Sequence, residues 1–317
     1  MNDRLAVILL AMGGPATTAE IPEYLFNIFS DRNIIRLPGG TLLQKPFARM
    51  ISRRRTPEVT HNYSRIGGGS PLLKWTEAQA RLIEQELRRD FAQVQCYAGM
   101  RYSRPTIDSA IVAAVEAGFR KLVLLPLYPQ FSKATTGSSF TVARESLRRY
   151  PEVAAIEIRD FHDAPGYTAL LREYITNHIR PDETLLFSAH SLPQKFVDEG
   201  DPYVDQIRRT AELAAGGREH FVAFQSRTGP VKWVGPDTID EVKRLLSERR
   251  GGLFIVPIAF VCDHIETLFE IDLQLPEIVG AEFGRRLRRM PMFNDDQRFG
   301  AVLAEIVRKA VSAHGQS

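Results

Sequence analysis

The chain has 317 residues, 44% of them hydrophobic and 25% charged, with 41 basic against 38 acidic side chains and a net charge of +3. This is the balance of an ordinary globular protein: it excludes a disordered or fibrous chain, and so small a net charge argues against a nucleic-acid face built from bulk charge. The two cysteines, Cys96 and Cys262, are too few for a disulfide framework or for the four thiolates that usually hold an iron–sulfur cluster, so a reducing cytoplasm fits best.

The first predicted element is the apolar run LAVILLAM over 5–12, too short to span a bilayer and without the layout of a secretion signal. Near-continuous apolar runs follow at 94–100, 121–129, 183–189, 220–226 and 252–260, as expected of strands covered on both faces. Between them lie amphipathic stretches such as TEAQARLIEQELRRDF, TIDSAIVAAVEAG and TIDEVKRLLSERR, with apolar residues at three-to-four spacing. The alternation predicts βαβ units and a doubly wound α/β fold. At ~150 residues per domain the length suggests two domains. We place the boundary in the turn-rich stretch 150–167, giving domains over 1–155 and 156–294, with a last helix over 295–312 packing back on the first. The stretch 30–55, interrupted by Pro38, Gly39 and Gly40, is expected to be a non-helical lip.

In open parallel sheets ligands bind at the carboxyl ends of the strands. The residues there are MGGP (12–15), GMRYSRP (99–105), YPQFSKATTGSS (128–139), SAHSLP (188–193), QSRTGPVKWVGP (225–236) and CDHIETLFE (262–270), and none contains a P-loop or dinucleotide fingerprint. The last is the densest in titratable groups. On a helix Glu266 and Glu270 share a face, where like charges destabilise by roughly a few tenths of a kcal/mol unless a cation or proton lies between them. Asp263 is expected to cap that helix. His190, just past an apolar strand, carries the side chain best suited to proton transfer near neutral pH and opens onto the same sheet edge as Glu266. Two acids and an imidazole suit a divalent first-row metal and a proton relay equally, and no second Cys or paired His supports a closed zinc site. Arg55 is the best placed of the basic run Arg53–Arg55 to hold an anion, and the Gly67–Gly69 run before Ser70 offers backbone N–H groups for the same purpose. Met12 and Trp233 sit in strand-end segments, where core packing and a ligand wall are both open readings.

Taken together, MGGP, RIGGGSPL, GMRYSRP, YPQFSKATTGSS, LFSAHSLP, GDPY, QSRTGPVKWVGPDT and PIAFVCDHIETLFEID resemble, in order and spacing, the ferrochelatase family over almost the whole chain. The resemblance implies two similar Rossmann-like, doubly wound domains with parallel sheets, chelatase-like, and an active cleft between them. It implies insertion of ferrous iron into protoporphyrin IX with release of two protons, the last step of heme biosynthesis. His190 then corresponds to the proton acceptor or iron ligand, Glu266 to its acidic partner, and Asp263, His264 and Glu270 to a proton or metal path. Met12, Arg55, Tyr63, Ser70, Arg101, Tyr102 and Trp233 correspond to residues around the porphyrin.

Iron is a substrate in this reading, with no permanently bound cofactor, and the absence of cysteine from the last residues implies no iron–sulfur cluster. Met12 resembles the branch that metallates protoporphyrin, where coproporphyrin-using relatives commonly have Tyr. Residues 30–50 resemble the lip with which animal members touch membrane, which implies a cytoplasmic protein with a peripheral contact to the inner face of the membrane. A cobalt chelatase of anaerobic corrin synthesis and a non-catalytic heme or metal carrier stay open as alternatives.

Overall fold

In the computed structural model, which describes residues 4–32, 34, 40–227 and 231–314, the run Leu5–Leu10 is wholly shielded from solvent. It forms β1 (Arg4–Ala11), flanked in parallel by β2 (Gln93–Met100) and β3 (Lys121–Pro126), with β4 (Ala154–Glu157) beyond β3. Covering both faces of a parallel sheet requires helices, and this is why β1 reads apolar throughout instead of alternating. The helices are α1 (Ile21–Ser30), α2 (Gly40–Ser64), α3 (Leu72–Leu87), α4 (Ile107–Glu116) and α5 (Ser138–Leu147). Ala110, Ile111 and Ala114 of α4 pack with Phe140 and Ala143 of α5 on Ile8, Leu10 and Leu124 of the sheet. Thr106 starts α4 by accepting the Ser109 amide hydrogen on its side chain.

The second sheet repeats the arrangement. β5 (Thr184–His190) is central, paired in parallel with β6 (His220–Gln225) and β7 (Leu253–Pro257), and β8 (Leu287–Arg289) lies beyond β7. Its helices are α6 (Pro165–His178), α7 (Gln194–Asp198), α8 (Tyr203–Ala215), α9 (Thr238–Glu248), α10 (Leu275–Val279) and α11 (Ala281–Gly284). In chain numbering the orders are β2-β1-β3-β4 and β6-β5-β7-β8, the same topology twice. The final helix, α12 (Gln297–His314), packs on α3 and is tied there by Arg308, which donates to Asp90 at 2.7 Å. The chain divides into two compact units, one running through Leu127, Lys133–Arg159 and from Asn294 onward, the other comprising Tyr128–Ser132 and Asp160–Phe293.

Three expectations are corrected. From Gly40 the expected non-helical lip is α2, a helix of 25 residues containing Pro46 and Pro57; its prolines and scattered apolar positions disguise it, because each proline removes a helical donor. Pro38 and Gly39 lie outside the described residues. The turn-rich stretch 150–167 contains β4, and β8 too was missed; both are short edge strands with polar or half-buried positions, AAIE and LRR, that lack an apolar run. The Gly67–Gly69 run is not an open anion cradle: the Gly67 and Gly68 amides return to the Ser64 and Tyr63 carbonyls at the end of α2, and the Ser70 amide donates to the Pro15 carbonyl at 2.7 Å.

Candidate functional site

His190 is the last residue of β5, not a residue beyond it, and its register partner is Gln225, the last residue of β6. Both therefore stand at the carboxyl edge of the second sheet. The Gln225 side-chain amide donates to the Glu266 carbonyl at 3.2 Å and to a Glu270 carboxylate oxygen at 3.1 Å, while its own oxygen accepts from Ser188 at 2.7 Å. Gln225 thus stitches the strand edge to the segment after β7. That segment turns into a π-helix over Glu266–Gln274, whose i→i+5 bonding is rare and concentrated at functional sites.

His264 is buried with its ring edge-on to Phe260, centroids 4.3 Å apart. Its Nε2 lies 3.0 Å from a Glu266 carboxylate oxygen, and a backbone hydrogen bond with Cys262 also acts on the ring. Burial lowers the His264 pKa, the Glu266 and Asp263 charges work against that, and positive charge on His190 pushes it lower still, so the two imidazoles sense one another. Glu270 is pushed up to about 7, first by burial and then by the Glu266 charge, with the Ser226 hydroxyl and Gln225 amide acting in the other direction. The like-charge tension expected between Glu266 and Glu270 is thus present, and proton affinity is one outlet for it. The His190 Nδ1 donates to the Ser191 carbonyl at 2.6 Å, which leaves Nε2 as the nitrogen with a lone pair.

Asp263 is not the expected cap. Ile265 occupies the N-cap of the π-helix, while Asp263 lies 3.0 Å from the Arg289 guanidinium and accepts from the Thr267 hydroxyl at 3.1 Å. Trp233 pairs in a β-bridge with Pro193, beside the backbone that leaves His190, and the Ser191 hydroxyl donates to the Val234 carbonyl at 3.0 Å. Among the described residues, the trio whose ligand atoms all lie within 4.8 Å of one another is Asp160, His162 and Asp163. His190, His264 and Glu266 do not close into such a trio.

The other candidates belong to the first unit. Gly13 has φ +85°, and a Cβ there would strike the Ser103 side chain; a Cβ at Gly14 would come within 2.6 Å of Ser70 Cβ. MGGP is glycine-rich for that reason: it lets Ser70 and Ser103 close on the end of β1, with Met12 accepting the Tyr102 amide at 3.0 Å. Tyr63 is buried close to Gly14 and Ser70. Tyr102 is also buried, and its hydroxyl donates to Asp31 at 2.6 Å. Arg101 donates to the same Asp31 oxygen at 2.6 Å and to the Ser138 hydroxyl at 2.9 Å. Arg55 stands on α2, paired with Glu58 at 3.2 Å. The structure thus draws Met12, Ser70, Tyr63, Arg101 and Tyr102 around one strand end and leaves Arg55 on the lip helix.

Four polar residues at these sites escaped the sequence reading: Gln225, Ser226, Asp31 and Ser138. Gln225 had a readable signal, a polar residue ending an apolar strand. Ser226 had none, since its left-handed backbone, φ 65°, and its bond to Glu270 exist only in the fold.

The sequence profile of the ferrochelatase family matches residues 4–311. The chain is 41% identical to the ferrochelatase of Geotalea daltonii over 324 aligned residues, covering 99% of this chain and all of that one. It is likewise 41% identical to the ferrochelatase of Geotalea uraniireducens, over 99% of this chain and all of the relative. In fold it is similar to SirB from Bacillus subtilis, solved with Fe3+, at TM-score 0.57 and 12% identity, covering 99% of this chain and 98% of SirB. A match of this length and identity, over a fold shared with chelatases, shows that the chain belongs to the ferrochelatase family.

Proposed function

We propose that His190 and the His264–Glu266–Glu270 group carry out the proton and metal handling of ferrous iron insertion into protoporphyrin IX. As a member of the ferrochelatase family the chain is an enzyme of heme biosynthesis that inserts metal into a porphyrin. The reaction strips water from the ion and removes two pyrrole N–H protons. In this reading His190 Nε2 takes a proton from the ring, and Glu266, with His264 held against it, takes over from the aqua ligands or receives the second proton. Glu270, whose pKa lies near neutrality, passes the proton on. The observation that carries the reading is the gathering of these residues at the carboxyl edge of the second sheet, where Gln225 is the register partner of His190 and bonds the Glu266 carbonyl and the Glu270 carboxylate, and Glu266 meets His264. Asp263, paired with Arg289, supports the path by position and not as a free ligand.

Met12, Tyr63, Ser70, Arg101, Tyr102 and Trp233 are proposed to contact the macrocycle, and Arg55 an acidic substituent; Met12 favours protoporphyrin as the substrate. Iron is the substrate ion, and two cysteines, with Cys262 buried, are too few thiolates for a cluster of the usual kind. A cytoplasmic placement with a peripheral membrane contact completes the proposal. It is supported by Leu42, 88% exposed, and Met50 on α2 beside Arg49, Arg53 and Arg54. No helix among the described residues is long and apolar enough to cross a membrane.

The test is anaerobic mixing of the purified chain with ferrous iron and metal-free protoporphyrin. The chain should accelerate loss of the free-base absorption bands, and His190→Ala should abolish this while porphyrin affinity is retained. Near-normal turnover in that variant would remove His190 from the mechanism; cobalt and sirohydrochlorin as the preferred pair would replace the substrates.

A further inference from the structure

The structure assigns Asp31 as a positioning residue that fixes the Arg101 guanidinium and the Tyr102 phenol in the orientation they present to the porphyrin. This rests on the reading of Arg101 and Tyr102 as porphyrin contacts. Asp31 is the residue at which α1 stops, with extended backbone, and its side chain is 5% exposed. A buried carboxylate at a helix C-terminus is unfavourable for the helix and for solvation, so it requires partners elsewhere. Three of them meet on one oxygen. Oδ2 accepts from Arg101 Nη2 at 2.6 Å, from the Tyr102 hydroxyl at 2.6 Å and from the Ser138 hydroxyl at 2.7 Å.

Three donors on one ionised acceptor define a position from three directions, and charge-assisted bonds of this length are the strong kind. The Ser138 hydroxyl also accepts from Arg101 Nε at 2.9 Å, and the Arg101 guanidinium carbon sits 4.7 Å from the centre of the Tyr102 ring. The guanidinium is thereby held by Nε and Nη2, leaving Nη1 as its nitrogen without a hydrogen bond among the described residues. Arg101 in this setting is not a loose charge but a single directed donor. Burial above all, with the Asp31 charge adding and the Arg101 charge opposing, keeps the Tyr102 phenol protonated.

The backbone supports the same assignment. Tyr24, Asn27 and Asp31 are spaced three and four residues apart, so they lie along one side of α1. The Tyr24 hydroxyl donates to the Gly13 carbonyl at 3.1 Å, and the Asn27 amide donates to the Tyr102 carbonyl at 3.1 Å. This polar seam attaches α1 to the loops after β1 and β2, and Asp31 is its point of contact with the side chains there. The segment following Asp31 leads into α2, which packs on α1.

The test uses the full chain and compares Asp31→Asn, Arg101→Met and the double variant. Kd for metal-free porphyrin is read by fluorescence quenching, kcat and KM by iron insertion, and folding by thermal denaturation. Asp31→Asn should lower kcat/KM by roughly ten- to a hundredfold, the scale of a misplaced contact. Most of the loss should appear in Kd and KM, and the double variant should fall well short of the product of the two single losses, because Asp31 acts in part through Arg101. Additive losses, or normal Kd and KM in Asp31→Asn while Arg101→Met is impaired, overturn the proposal. If Arg101→Met and Tyr102→Phe both bind and turn over normally, the porphyrin-contact reading fails first and the proposal falls with it. Should Asp31→Asn not fold, Ser138→Ala removes one strut of the same arrangement, and the predicted non-additivity with Arg101→Met transfers to it.

Discussion

His264 Nε2 lies 3.0 Å from Glu266 Oε2, an imidazole and a carboxylate held together in a largely buried setting. Taking a carboxylate and an imidazole out of water together costs desolvation of both, so the arrangement is not one that stability alone would select. Removing the carboxylate charge tests what it is for. Glu266→Gln keeps the size and a hydrogen-bonding oxygen, yet it should lower kcat for iron insertion by roughly a hundredfold or more, as for loss of an acid–base group. Thermal stability should change little. The same substitution removes one of the causes that raise Glu270, so any limb of the pH–rate profile belonging to Glu270 should move to lower pH. An unshifted profile at reduced rate would separate Glu270 from the reaction.

Glu270 also makes a prediction about folding. Its folded pKa of about 7 lies above its ordinary value of 4.5, so folding favours the protonated acid. That contribution is fully present below about pH 4.5 and is lost as pH rises through about 7, where the carboxylate must ionise in a buried site. From pH 5 to 8 the loss is roughly 2–3 kcal/mol by linkage. Glu270→Gln imitates the protonated acid at every pH. It should therefore match the parent chain near pH 5 and exceed it in urea midpoint near pH 8. Parallel pH dependence in the two proteins would show that Glu270 ionises without strain.

The doubly wound architecture was legible because β1, β3, β5 and β7 are covered on both faces and write that fact as apolar runs. The edge strands β4 and β8 were not, because one flank of each has no strand to pair with and their short sequences carry Arg and Glu. Helix α2 was hidden by Pro46 and Pro57. At the candidate site, the placement of His190 at the end of β5 and of Glu266 in the segment after β7 was legible from the apolar runs that precede them. Asp263 was misassigned because its partner, Arg289, is 26 residues away in sequence and meets it only through β8. The roles of Gln225, Ser226 and Asp31 are likewise tertiary: each is an ordinary polar residue whose meaning is the group it touches.

The lip helix offers a separate test. Leu42 and Met50 expose apolar side chains on α2, and Pro46, Met50, Arg49, Arg53 and Arg54 line one surface recess of about 610 Å³. Apolar side chains among arginines suit an anionic bilayer, where each basic residue near the surface adds about 1 kcal/mol. The chain should sediment with vesicles containing phosphatidylglycerol more than with neutral ones. Leu42→Asp with Met50→Asp should abolish the difference at unchanged iron-insertion rate for detergent-solubilised porphyrin. Equal sedimentation of parent and variant would remove the membrane contact from the proposal.

Arg289 supplies the last prediction, through the π-helix it braces. Its guanidinium, only 11% exposed, lies 3.0 Å from Asp263 and donates twice to Asp272, at 2.8 Å each, joining a residue three positions before the π-helix to one near its end. Replacing it with Met leaves two carboxylates near one another without a cation. Asp272 is about a third exposed, so the full penalty of a buried broken pair does not apply. A destabilisation of about 2–3 kcal/mol is expected in urea unfolding. Arg289→Lys should recover only part of it, because an ammonium cannot form the two parallel bonds to Asp272. Adding Asp272→Asn to Arg289→Met should restore stability further by removing the like-charge repulsion. If instead the added substitution weakens the protein again, Asp272 is held by contacts other than Arg289, and the brace is local to Asp263.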